Sequence, residues 1–89
     1  MAEPAIHVTR ESDHDFLVRV DAGTVTEHRV TVPNDYFEKL RSDEESKEQL
    51  IERSFQFLLE RESNRSILPS FELSTIQRYF PEYESTIGS

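Results

Sequence analysis

The sequence of 89 residues has no cysteine, no tryptophan and only two glycines. Without cysteine there is no disulfide and no thiolate chemistry, which excludes a redox role and favours the reducing cytoplasm. Glycine-rich phosphate-binding loops are practically excluded as well, because their backbone must approach the phosphate closely. We therefore expect no cofactor.

Long apolar runs are also missing. The N-terminal residues MAEPAIHV lack the basic and apolar regions of a signal peptide, and no run approaches the roughly 18 apolar residues of a membrane span. The chain is acidic instead, with ten Lys and Arg against 18 Asp and Glu, a net charge of −8. This charge disfavours attraction to nucleic acid or anionic lipid. We predict a cytoplasmic protein that contacts no membrane and is not expected to bind nucleic acid.

Apolar and polar residues alternate in the first third of the chain, which predicts half-buried strands. The strands form an antiparallel meander at about 5–10, 15–21 and 24–32. A three-residue turn over Asp21, Ala22 and Gly23 places Gly23 in the left-handed region. This turn pairs Val18 with Thr26, and it puts the valines of the third strand on the core face.

The remaining elements are helical. Their predicted positions are about 35–41, 43–62, 74–80 and 81–87. A capping box from Ser42 to Glu45 begins the long helix, whose apolar arc of about 200° needs cover on two sides. Ser54 is small and lies near the middle of that arc, so a neighbour can approach there. The sequence thus predicts one small α+β domain over residues 1–89.

The segment RYFPEYE contains three aromatic residues and a proline in residues 78–84. Phe80 and Tyr83 fall on an apolar stripe with Leu73, Ile76 and Ile87, which predicts that they fill the core. Pro81 predicts that one helix ends at Phe80 and another begins beyond it. Arg78 and Tyr79 lie off the stripe. We predict a partner-contact surface around Arg78, Tyr79 and Tyr83.

No motif in the sequence indicates a catalytic centre. The three histidines, His7, His14 and His28, do not share one face of the predicted sheet, so we predict no metal site. The acidic residues of the helices are typical of a solvated face rather than of acid-base catalysis. We therefore predict neither catalytic nor cofactor-binding residues.

Two stretches resemble known protein groups. The segment EHRVTVPNDYFEKL followed by SKEQLIERSFQFLLERE is similar to ribbon-helix-helix proteins over residues 27–62. That resemblance implies a dimeric DNA-binding or antitoxin-type regulator that reads DNA through Glu27, Arg29 and Thr31. The segment FLLERESNRSILPSFELSTIQRYFPEYE resembles a group of small bacterial proteins with an N-terminal β-hairpin and a similar ending. This second resemblance implies no particular activity.

From these observations we rank three candidate functions, beginning with the one we favour most. We expect a non-enzymatic interaction or regulatory protein with a protein partner, and a homodimer is one form that it can take. A ribbon-helix-helix-like regulator is the second candidate. A small ligand-binding protein or enzyme is the third.

Overall fold

The computed structural model describes residues 4–41 and 44–88, which form a mixed α+β domain. Within these ranges there are four strands and four α-helices, and the predicted α+β class is confirmed. They are β1 (Ala5–Arg10), β2 (Asp15–Asp21), β3 (Val25–Thr31), α1 (Asn34–Leu40), α2 (Lys47–Leu59), β4 (Ser70–Glu72), α3 (Thr75–Tyr79) and α4 (Tyr83–Ile87). One 3-10 turn, Asn64–Ser66, precedes β4.

The described strands form one sheet in the order β1-β2-β3-β4, in which β1, β2 and β3 are antiparallel. Val18 lies opposite His28, so the predicted register is wrong by two residues. The turn covers 22–24, because Asp21 pairs with Val25 and its carboxylate accepts a hydrogen bond from the Gly23 N–H at 3.3 Å. An even shift leaves every side chain on its predicted face. Gly23 is left-handed, with φ of 90°, as predicted.

The sequence did not predict β4, which runs parallel to β3. Pro69 made this segment resemble a simple turn, since proline cannot donate to a strand ladder. Its carbonyl can still accept, and it does so from the Arg29 N–H at 2.8 Å. Both edges of β3 are therefore occupied within this chain. A ribbon-helix-helix dimer would instead pair that strand with a second chain.

Helix α2 is shorter than the predicted helix 43–62. It begins with a capping box between Ser46 and Gln49, whereas Ser42 and Asp43 of the predicted box lie outside the described residues. Glu44 has a φ of 58°, which interrupts helical geometry before Ser46. Glu45 forms a two-pronged ion pair with Arg53, at 2.6 and 2.8 Å. The predicted helix start is thus moved to the next serine along the chain.

The core lies between one face of the sheet and the helices. Sixteen apolar side chains of the described residues are buried there: Phe16, Val18, Val20, Val30, Val32, Leu40, Leu50, Ile51, Phe55, Phe57, Leu58, Ile67, Leu73, Ile76, Tyr83 and Ile87. Phe80 is only partly buried, unlike the other members of its predicted stripe. In residues 4–41 and 44–88, no helix is both long and apolar enough to cross a membrane.

Candidate functional site: an apolar groove beside α2

A groove of about 300 Å³ lies between the end of α2, the segment 66–71 and α3. Its deepest residues are the buried Leu58, Ile67 and Ile76, and the half-buried Phe71 and Phe80 lie beside them. The remaining lining residues are Glu62, Ser66, Leu68, Thr75 and Tyr79. The groove is therefore apolar at its base and has a few polar groups around it.

Two exposed apolar side chains line this groove. Leu68 is 41% exposed and Tyr79 is 65% exposed. In the part of the chain that the structure describes, the third large exposed apolar residue is Val25, on the β2–β3 hairpin. Single exposed apolar residues are ordinary on a protein surface, but a group of them beside an apolar cavity is typical of a binding site. Leu68 and Tyr79 therefore mark the groove as the strongest candidate site.

A buried histidine holds the Leu68 side of the groove. The His28 Nδ1 lies 2.8 Å from the Leu68 carbonyl oxygen, and a carbonyl can only accept, so Nδ1 carries the donated hydrogen. In the neutral ring, Nε2 then accepts from the Thr26 hydroxyl at 2.8 Å. The ring also packs against Phe55, with the centroids 5.5 Å apart. This arrangement fixes the backbone of Leu68 against the sheet.

Asn64 fixes the start of the same segment. The Asn64 side chain is buried, and its backbone lies in the 3-10 turn. The amide donates to the Thr24 carbonyl at 2.8 Å and to the Thr26 hydroxyl at 3.0 Å. Together with the bond from Arg29 to Pro69, these contacts attach the segment 64–69 to the β2–β3 hairpin. Contacts within the chain itself therefore hold this side of the groove in place.

The other side of the groove is the corner between α3 and α4. Phe80 packs edge-on against Phe57, with ring centroids 5.9 Å apart. The Gln77 side chain spans the corner, because it donates to the Pro81 carbonyl at 2.6 Å and accepts from the Glu84 N–H at 2.8 Å. These bonds hold the short helix that presents Tyr79. The corner at Pro81 therefore helps to fix the position of Tyr79 beside the groove.

The three predicted contact residues have different environments. Tyr79 lines the groove, and Arg78 is exposed beside it in the sequence but does not line it. Tyr83 is 0% exposed, and its hydroxyl lies 2.7 Å from the Ser54 hydroxyl. Its inclusion in a contact surface was wrong, since a side chain in the core cannot reach a partner. Burial also raises the pKa of Tyr83 to about 12.

Sequence reasoning missed Leu68, Phe71 and Glu62. The only local signal was the pair Ile67-Leu68 before a proline, where one apolar residue is buried and the next is exposed. Which of the two faces solvent depends on β4, whose pairing is not visible in a local pattern.

The groove has the chemistry of a binding site. No histidine or lysine lines it, and its polar groups are one carboxylate and the hydroxyls of Ser66, Thr75 and Tyr79. Among the residues that the structure describes, no group of three or more His, Cys, Asp or Glu side chains could hold a metal ion. The arrangement can enclose an apolar group next to a carboxylate.

Comparisons with models of protein families, with curated proteins and with solved structures found no match to this chain. We therefore infer a function from the geometry of the groove alone.

Proposed function

We propose that this chain is a non-enzymatic protein-interaction domain that binds an apolar segment of a partner protein in the groove. The observation that carries the proposal is the presence of two exposed apolar side chains, Leu68 and Tyr79, beside one preformed apolar groove. Removing apolar surface from water is the dominant favourable contribution to most protein–protein association. Tyrosine is also enriched among the residues that dominate binding energy. These two residues supply the driving force.

The size of the groove favours a protein segment over a small molecule. A volume of about 300 Å³ is at the lower end of the roughly 300–1,000 Å³ range of small-molecule sites. A small ligand at the base would leave much of Leu68 and Tyr79 in water. A protein segment can fill the base with one side chain and cover both residues with the rest. The cytoplasmic location and the homodimer alternative stay predictions from the sequence.

The proposal can be tested by affinity capture from an extract of the native host, with matched variants. The Leu68→Ser variant removes one apolar contact from the groove, and Val25→Ser makes the same kind of change at an exposed hairpin residue that does not line the groove. We expect a partner that the wild type and Val25→Ser both retain and that Leu68→Ser loses. Circular dichroism of each variant checks that the fold is intact.

A partner that all three proteins capture equally would contradict the proposal, because binding would then use another surface. The same conclusion would follow if Val25→Ser, rather than Leu68→Ser, lost the partner.

A further inference from the structure

Glu62 is the one acidic or basic residue among the ten that line the groove. It lies just beyond α2, where its N–H donates to the Leu58 carbonyl at 2.9 Å. The residue is half-buried, and within residues 4–41 and 44–88 its carboxylate forms no hydrogen bond or ion pair. The groove thus contains an unpaired negative charge next to an apolar base.

The neighbouring arginine does not neutralise Glu62, because Arg61 is held elsewhere. Its guanidinium lies 3.6 Å from the centroid of the Phe57 ring, and its Nε is 3.3 Å from the Glu82 carboxylate. Its Nη1 also donates to the Phe57 carbonyl at 3.0 Å. Arg65 and Arg78 are exposed and do not line the groove. The carboxylate of Glu62 is therefore available to a partner.

An unpaired carboxylate limits which partners can cover the groove. Taking such a charge out of water is unfavourable unless an opposite charge or hydrogen-bond donors replace the water. A wholly apolar segment supplies neither, whereas a lysine or arginine beside the apolar side chain supplies both. The net charge of −8 also favours a basic partner, since complementary charge steers association.

The same charge disfavours a second copy of this chain as the occupant. Each copy would bring its own charge of −8 and its own Glu62 to the contact. Like charges placed opposite each other at an interface weaken binding.

We propose that the occupant of the groove is a basic segment of a different protein, in which a large apolar side chain enters the base and an adjacent lysine or arginine pairs with Glu62. This inference rests on the proposed function and adds the chemistry of the partner to it. The apolar side chain supplies most of the affinity, and the cation supplies the selectivity.

The test uses two short capped peptides that share a leucine-phenylalanine pair and differ only in whether lysines or glutamates flank it. Amide chemical shifts of the ¹⁵N-labelled protein locate the binding site, and titration gives the affinity. We expect both peptides to shift groove amides, and the lysine peptide to bind about two- to fivefold more tightly at low salt, the range of a partly exposed ion pair. Added salt reduces that preference.

Two variants that change the net charge by the same amount separate the effect of Glu62 from the effect of the protein's net charge. Glu62→Gln is expected to remove most of the preference for lysine. Glu52→Gln alters an exposed carboxylate of α2 that does not line the groove, so the preference should remain. Sedimentation of the free protein tests the second-copy alternative, and we expect a monomer.

The outcomes distinguish this inference from the proposed function. Equal affinity for both peptides, or equal effects of the two variants, would refute the basic-segment inference while leaving groove binding intact. An absence of groove shifts with either peptide would overturn the proposed function itself. Phenethylamine, a small molecule with one aromatic ring and one amine, is titrated as a further probe. If it bound as tightly as the lysine peptide, the groove would be a small-molecule site. If the free protein formed a dimer through the groove, the occupant would be a second copy of this chain and not a basic segment of another protein.

Discussion

The two sides of the α3–α4 corner differ in how their side chains are satisfied. On the α4 side, the Tyr83 hydroxyl bonds to Ser54, and Arg53 bonds to both Glu45 and the Ile87 carbonyl. On the α3 side, the groove leaves Leu68 and Tyr79 exposed. The α4 side is closed by specific contacts, whereas the α3 side keeps apolar surface in water.

A third set of contacts closes the α4 side further. The Glu84 carboxylate accepts from the Tyr36 hydroxyl at 2.8 Å and pairs with Lys39 at 3.0 Å. Both bonds lower the pKa of Glu84, and the bond from Tyr36 has the larger effect. These two contacts attach α4 to α1. We infer binding from the other side of the corner, where Leu68 and Tyr79 leave apolar surface exposed beside the groove.

The largest expected effect is on the closed side. Tyr83→Ala removes a fully buried ring that packs against Phe57, with centroids 5.3 Å apart, and it also removes the hydroxyl that bonds to Ser54. We expect a loss of about 3–5 kcal/mol in the free energy of unfolding. Urea denaturation measures it. A loss below about 1 kcal/mol would contradict the description of this side as closed.

Phe80→Ala on the groove side should have a smaller effect. Phe80 is partly buried, so less apolar surface returns to water and the cavity can open to solvent. We expect a loss of about 1–2 kcal/mol, below the range for a fully buried phenylalanine. Urea denaturation under the same conditions as for Tyr83→Ala gives the comparison. If the two variants lost equal stability, the two sides would not differ as described.

Tyr83→Phe isolates the hydroxyl on the closed side. Losing the bond to Ser54 should cost about 0.5–1.5 kcal/mol at neutral pH. The pKa of Tyr83 is raised from 10.0 to about 12, so its contribution is complete below pH 10 and is lost as the pH rises from 10 through 12.

The measurement is the free energy of unfolding across that alkaline range. We expect Tyr83→Phe to lose less stability there than the wild type. The variant still loses some stability in this range, because the pKa of Tyr36 is raised as well. Burial is the larger cause of that rise, and the bond to Glu84 is the second. Identical alkaline curves for both proteins would argue against a buried Tyr83 hydroxyl.

Tyr79→Ala should have the smallest effect on folding. Its side chain is 65% exposed, and exposed substitutions usually change stability by less than about 0.5 kcal/mol. Its effect on partner binding should be at least tenfold, because an aromatic residue at a binding site is a typical source of affinity. Titration calorimetry with the captured partner measures this. Unchanged affinity would remove Tyr79 from the binding surface.

The sequence predicted the closed side better than the groove, for a physical reason. The stripe through Ile76, Tyr83 and Ile87 follows helical periodicity, and Ser54 stands out as small within an apolar arc. Patterns of this kind depend only on residues near one another in the chain. They were sufficient to predict that Tyr83 fills the core.

The groove depends on contacts between distant residues. His28 bonds to Leu68 and Asn64 bonds to Thr24, each across 40 positions of the chain, and no periodicity indicates such pairs. The three-residue β4 is also too short to show an alternating pattern. Exposure of Leu68 follows from these contacts, so local sequence reasoning predicted that Tyr79 lies off the buried stripe but did not predict the groove beside it.

The most direct test of the central claim places a photo-crosslinking benzophenone side chain at position 79 in one variant and at position 25 in a control. Both positions are exposed and apolar, but only Tyr79 lines the groove. After irradiation in extract of the native host, we expect a crosslinked partner from position 79 and none from position 25. Crosslinking from position 25 alone, or equally from both, would contradict the assignment of the groove as the binding site.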